Sequence, residues 1–365
     1  MQLPHLLQLL IIAILVALLP LGWVWVANDH DKYRKLVWVT LFFTFDLIVF
    51  GAFTRLTDSG LGCPDWPGCY SHANPMQVIE KIDAAAALMP NGPVTRVKAW
   101  IEMIHRYLAM GIGILITILM VSAWRFWRTG QREQTPLLPT LLFFLVCIQG
   151  AFGRWTVTLK LQPVIVTVHL LLGMLLLALL ANLAARQTPS RLIGSVPAQV
   201  LAPHLRLSAL RPWIVAGALM LLVQLALGAW VSTNYAALAC PDFPMCHGSW
   251  WPQMDFAHGF TLWRELGKTG AGDFLPYSAL TAIHWAHRGF ALLLALVLAG
   301  LAWRARYACP DLARNLALVL VLQLASGSAA VFFAWPLGLA VLHNAGAALL
   351  VLVLSMLHYR VSANN

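Results

Sequence analysis

Apolar residues dominate this chain in nine long runs, divided by short polar stretches and two longer ones. The runs cover residues 4–27, 36–54, 99–123, 137–153, 163–185, 212–233, 280–303, 315–334 and 337–357. Each approaches the roughly 20 residues that carry an α-helix across a hydrocarbon layer. The pattern predicts nine transmembrane helices, numbered here as spans one to nine. Composition points the same way: 60% of the 365 residues are hydrophobic and 10% charged, more apolar surface than a water-facing core could bury. The predicted fold class is an all-α integral membrane protein.

Charge sets the expected orientation. The loops after spans one, three, five and seven are basic: Lys32, Arg34, Lys35; Arg125, Arg128, Arg132; Arg186, Arg191, Arg206, Arg211; and Arg304, Arg306, Arg314. Basic loops mark the cytoplasmic side. The long loops 55–98 and 234–279 mix acids with a few bases and hold four of the six cysteines, as outer loops would. The N-terminus is therefore expected outside and the C-terminus, with Arg360, inside. The net charge of +10 is then a topology signal, and no nucleic-acid partner is expected. Span one is longer than the apolar core of a signal peptide and lacks a basic leader, so it reads as a retained helix. It also lacks the character of an organelle transit peptide, which favours a bacterial cytoplasmic membrane.

An internal repeat organises the rest. The heptapeptide from Cys63 to Cys69 (CPDWPGC) returns as Cys240 to Cys246 (CPDFPMC). His105 with Arg106 is answered by His287 with Arg288, and His169 by His343. The expected domains are an extra N-terminal helix with its basic loop (1–35) and two related four-helix bundles (36–185 and 212–358). Each repeat has an even number of spans, so both share one orientation and the pseudo-symmetry axis follows the membrane normal. Gly51, Gly150, Gly228 and Gly327 recur near the outer ends of the four spans without these histidines. They are either ordinary small-residue helix contacts or places where a flat ligand approaches the backbone.

The histidines carry the chemistry. At about 1.5 Å per residue, His105 and His169 each lie about 9 Å inside the outer ends of their helices. His287 and His343 repeat the arrangement. Two facing imidazoles at one depth suit a six-coordinate haem iron. A core histidine or a proton relay accounts for one such residue, but less well for two depth-matched pairs. A copper or zinc site lacks a third Cys or carboxylate ligand at that depth. Arg106 and Arg288 either pair with haem propionates or snorkel to the outer headgroups.

Glu102, one turn before His105, has His284 as its counterpart. It is either a general base beside the macrocycle or an i, i+4 partner of Arg106. Asp46 in span two is expected as a buried, protonated or hydrogen-bonded carboxylate. The pairs Cys63/Cys69 and Cys240/Cys246 suit disulfides in an oxidising compartment, static or redox-active. Cys147 and Cys309 read as small apolar side chains.

The run Gly51 to Cys69 (GAFTRLTDSGLGCPDWPGC), the segment Glu102 to Arg106 (EMIHR) and the helices of His169, His287 and His343 resemble the haem A synthase family over spans two to nine. That resemblance implies eight helices in two pseudo-symmetric bundles. It implies a haem b held by His287 and His343, and haem O bracketed as substrate by His105 and His169. Glu102 matches the family's catalytic carboxylate, and Cys63 with Cys69 a disulfide that handles substrate or electrons. The implied reaction oxidises a ring methyl of haem O to a formyl group through a hydroxymethyl stage, giving haem A for haem-copper terminal oxidases. Implied partners are membrane lipid, an unnamed electron donor or acceptor, haem O synthase and cytochrome oxidase assembly factors. Span one departs from the family pattern, and the second cysteine pair is not found in every member. A di-haem b-type electron-transfer protein would need the same four histidines but gives no reason for Glu102 to differ from His284. A transporter would require midplane helix breaks, which the histidine spans lack.

Overall fold

The computed structural model describes residues 4–28, 31–90, 92–131, 135–187 and 207–363. Among them, nine helices are long and apolar enough to cross a membrane. They are α1 (His5–Val26), α2 (Lys32–Leu56), α4 (Arg96–Arg128), α5 (Leu137–Thr158), α6 (Pro163–Gln187), α7 (Arg211–Thr233), α9 (Tyr277–Ala305), α10 (Pro310–Phe332) and α11 (Leu337–Ala363). Two short helices, α3 (Ile79–Leu88) and α8 (Phe256–Gly259), lie in the long loops. The described residues form no strands, only isolated bridges. Every expected span is a helix. Arg132, Arg191 and Arg206, counted above toward orientation, lie outside the described residues.

Several helices outrun the apolar runs that predict them, because polar caps continue them past the hydrocarbon. The Thr95 side chain accepts from the Lys98 N–H at 3.2 Å, so α4 starts three residues before the apolar run and reaches 33 residues. Asp31 likewise accepts from the Arg34 N–H at 3.0 Å and starts α2 at Lys32. Pro310 opens α10, where its missing N–H costs nothing.

One expectation fails on α2. Asp46 is exposed on the helix surface, not buried. The packed side of α2 carries Leu36, Val37, Thr40 and Thr44. At about 100° per residue, Asp46 turns about 200° from Thr44, away from that side.

The chain forms two compact units, Met1–Leu161 and Gln162–Asn365. In the first, α4 is the central element, packed on α1, α2, α5 and α3. Gly111 lets α1 seat closely, since a Cβ there would lie 2.7 Å from Val16 Cγ1. The N-terminal end of α1 reaches the first long loop: Leu9 shares a buried cluster with Cys63, Cys69, Val78, Ile82, Met103 and Tyr107. Gln77 of that loop donates to Gln8 Oε1 at 3.1 Å. In the second unit, α6 packs on α7 and α11, α7 on α9, and α10 on α9 and α11. The second unit therefore includes α6, the helix of His169.

Candidate functional site

The two cysteine loops share one construction. Cys63–Cys69 and Cys240–Cys246 are disulfides. The Asp65 carboxylate accepts the backbone N–H groups of Tyr70 at 2.6 Å and Ser71 at 2.5 Å. Asp242 accepts those of His247 at 2.7 Å and Gly248 at 2.8 Å. Those two bonds, Gly248 foremost, hold the Asp242 carboxyl below its ordinary range. Tyr70, Ser71, His247 and Gly248 all have positive φ, as a two-residue turn between paired backbones requires. Reciprocal hydrogen bonds close the turns, Cys69 with His72 and Cys246 with Ser249. Both loops also contain a cis X–Pro bond, Trp66–Pro67 and Phe243–Pro244.

Each loop is fastened to the helix that carries its histidine. The buried Arg106 guanidinium donates to the carbonyls of Asp65 at 2.8 Å, Pro67 at 3.3 Å and Gly68, and to one oxygen of Glu102. The other Glu102 oxygen accepts the Cys63 N–H at 2.7 Å. In the second unit Arg288 donates to the carbonyls of Cys240 at 2.6 Å, Asp242 at 2.8 Å and Met245 at 3.1 Å. Its Nε lies 3.1 Å from His284 Nε2 and the Cys240 N lies 3.3 Å from His284 Nδ1, and the neutral ring accepts from one of the two. Glu102 and His284 thus occupy the same place in two equivalent fastenings, one anionic and one an imidazole. The i, i+4 pairing of Glu102 with Arg106 is formed. Both guanidinium groups direct donors onto loop carbonyls.

The recurring glycines make room for histidines. A Cβ on Gly51 would lie 3.0 Å from His105 Nε2, one on Gly228 3.0 Å from His287 Cε1, and one on Gly327 2.9 Å from His343 Cε1. These three are small-residue helix contacts with an imidazole of the neighbouring helix as the near neighbour. A Cβ on Gly150 would meet nothing within 4 Å. His105 also stacks on Phe50, with ring centroids 6.3 Å apart and 15° between planes.

His287 on α9 and His343 on α11 lie in one unit. Ser326 Oγ sits 3.1 Å from His343 Nδ1 and donates to the Gln323 carbonyl at 3.1 Å. Gln323 Nε2 is 3.3 Å from His343 Nε2. Gln224 Nε2 lies 3.0 Å from His287 Nδ1. As placed, the Gln224 amide donor faces His287 Nδ1 and leaves that ring's Nε2 open, whereas both ring nitrogens of His343 meet side chains of α10. His105 lies on α4 in the first unit and His169 on α6 in the second. Sequence reasoning missed Gln224, Gln323 and Ser326. The signal was present, since a glutamine stands four residues before the glycine in both α7 and α10. A cavity of about 360 Å3 in the second long loop is lined by residues such as Trp263, Arg264 and Thr269, and by none of the predicted site residues.

Residues 34–355 match a family described as cytochrome oxidase assembly protein. A heme A synthase of Shewanella oneidensis is 39% identical over 330 residues, covering 89% of this chain and 96% of the relative. A heme A synthase of Caulobacter vibrioides is 29% identical over 340 residues, 87% of this chain and 92% of the relative. A third, from Shouchella clausii, is 27% identical over 229 residues, 62% of this chain and 67% of the relative.

Proposed function

The chain belongs to the haem A synthase family of cytochrome oxidase assembly proteins, and from that premise we propose that it makes haem A by oxidising a ring methyl of haem O to a formyl group. One observation carries the choice of a working half. The two fastenings share the cysteine N–H, the arginine one turn on and two of the three gripped carbonyls (Asp65 and Gly68 against Asp242 and Met245), yet only the first holds a carboxylate, Glu102, one turn from a histidine. Duplication alone would preserve the fastening; a carboxylate in the place of the imidazole puts a buried negative charge one turn from the histidine.

In this reading His105 and His169 ligate the iron of haem O as substrate, in the half formed by 36–185. His287 and His343 hold a haem b in the half formed by 212–358. That haem would supply one-electron chemistry. Glu102 takes up protons as the ring methyl passes through hydroxymethyl to formyl. Each stage removes two electrons from the ring carbon. One oxygen atom enters, from water with an external acceptor or from dioxygen with an external donor. Arg106 offsets the Glu102 charge and holds the loop, and the Cys63–Cys69 disulfide fixes the segment whose N–H binds Glu102. Arg106 and Arg288 are also the groups nearest in sequence to the ligands for contact with haem propionates. The protein is a multi-pass component of a bacterial cytoplasmic membrane with its N-terminus outside. Haem O synthase supplies its substrate, and its product passes to haem-copper oxidases through their assembly factors.

The test is expression in a membrane host that makes haem O but no haem A, followed by extraction and chromatography of the haems. Haem A or its hydroxymethyl precursor is the expected product, lost in His105→Ala and His169→Ala while the second haem stays bound. Haem B alone, from folded protein with haem O available, would replace this reading by that of an electron carrier.

A further inference from the structure

The cavity in the second long loop adjoins a buried cation whose protein partners are all neutral. Arg264 is 3% exposed. Its guanidinium donates to the Lys268 carbonyl at 3.2 Å and to Asn234 Oδ1, and it lies over the Trp230 ring, 5.9 Å from the centroid. Asn234 caps α7, and its own amide donates to the Trp230 carbonyl at 2.9 Å, which fixes the acceptor that holds Arg264. Burial lowers the guanidinium from the ordinary arginine value, and among the described residues no carboxylate pairs with it to offset this. A buried charge without a counter-charge is costly. In the first repeat Thr57 and Phe53 stand where the second has Asn234 and Trp230, and Arg96, at the start of α4, pairs with Asp83. The arrangement around Arg264 is therefore not a product of the repeat.

A second donor joins the first. Arg264 Nε and the Thr269 hydroxyl are both buried without a hydrogen-bond partner among the described residues, and both residues line the cavity of about 360 Å3. A turn sets Thr269 in place: its N–H donates to the Asp273 carbonyl at 2.8 Å, and the Gly272 N–H donates to the Thr269 carbonyl at 3.1 Å. That turn leaves Gly270 and Ala271 exposed at the rim. Lys268 and Glu265 pair with each other at 2.9 Å, so Arg264 is the excess charge of the lining. The Gln162 side chain adds an amide to the wall. The volume falls within the range of small-ligand pockets and exceeds the needs of a bare ion. Leu262 and Trp263, both exposed, give the rim the apolar and aromatic character common at membrane interfaces.

We propose that this cavity is a binding site for a phosphate-class oxyanion, carried on a lipid headgroup or free in solution, with Arg264 and Thr269 as its donors. Phosphate suits a guanidinium in charge and in geometry, and it accepts the hydroxyl as well. Its charge neutralises the arginine that the fold leaves uncompensated. The site shares no residue with the histidine pairs and stands independently of the haem assignments.

The test uses the full chain, delipidated in detergent, with two probes. Inorganic phosphate is titrated against chloride at equal ionic strength and followed by thermal unfolding. Phosphatidylglycerol is compared with diacylglycerol of the same acyl chains by native mass spectrometry of retained lipid. Saturable stabilisation by phosphate would assign the site to a free oxyanion, and selective retention of phosphatidylglycerol would assign it to a headgroup; either supports the proposal. The binding observed should weaken at least about tenfold in Thr269→Val, the scale of one charge-assisted hydrogen bond, and vanish in Arg264→Gln. Arg264 also braces the end of α7, so Ala271→Asp covers the case in which Arg264→Gln fails to fold. It adds a negative charge at the exposed rim and should weaken binding to at least the same degree. Neither probe bound by wild type, diacylglycerol retained as well as phosphatidylglycerol without a phosphate effect, or wild-type binding in folded Arg264→Gln or Ala271→Asp would overturn the proposal.

Discussion

At the scale of single residues, the comparison of Glu102 with His284 is the most informative. Both face the N–H of the first loop cysteine and both meet an arginine one turn on. Glu102→Gln keeps a similar shape and an acceptor for Cys63. It should leave haem binding intact and lower haem A yield by roughly 100-fold or more, the usual scale for losing a general base; wild-type yield in the haem extract would return Glu102 to a structural role. The arginines should separate as well. Arg106→Ala leaves a buried carboxylate uncompensated, which costs roughly 3–5 kcal/mol, whereas Arg288→Ala strands only an imidazole. Thermal unfolding of the solubilised variants should therefore show the larger loss for Arg106→Ala.

Asp242 gives a pH dependence. Its folded carboxyl is held below the unfolded value by the Gly248 and His247 N–H groups. Its stabilisation is thus complete above the unfolded value and is lost as pH falls through the depressed folded one, below about pH 4. Hydrogen exchange across residues 240–249 should lose protection in that acid window in the wild type. The same loop in Asp242→Ala should be equally open at neutral pH.

At the scale of elements, the glycines define how closely helices approach the ligand histidines. In Gly228→Leu a branched side chain would enter space that His287 fills, at an overpacking cost of roughly 1–3 kcal/mol. The expected outcome is a folded protein whose absorption spectrum lacks the haem assigned to His287; an unaltered spectrum would mean the helices yield instead. The existence of each span was legible because a membrane leaves the backbone no choice but internal hydrogen bonding, and nine apolar runs then mean nine helices. Their ends were less legible. Caps such as Thr95 and Asp31 extend α4 and α2 through residues that carry no apolar signal. Asp46 was misjudged because depth along a span is readable from sequence while rotation about its axis is not.

At the scale of the molecule, the paired cysteine loops are legible in the repeat, since CPDWPGC and CPDFPMC keep the aspartate and proline that shape each loop. It could not convey that Arg106 and Arg288 hold loop carbonyls, because a guanidinium beside a histidine suits a propionate equally well. Nor did it single out Gln224 and Gln323, whose meaning depends on which face of α7 and α10 meets a ring. The proposed orientation is checked by terminal fusions. Alkaline phosphatase joined to the N-terminus should be active and a fluorescent protein at the C-terminus should fold and emit; the reverse pattern would invert the topology.

The arginine fastenings carry one more consequence. Because Arg106 directly follows His105 and grips the first cysteine loop, the height of that imidazole is referenced to the loop and not to the lipid. A thinner or thicker bilayer can be met by tilt or by snorkelling at the C-terminal ends of α4 and α9. Neither adjustment moves the histidine relative to its loop. The ligand geometry should therefore be insensitive to hydrophobic mismatch, and the protein should carry its site unchanged between membranes of different thickness.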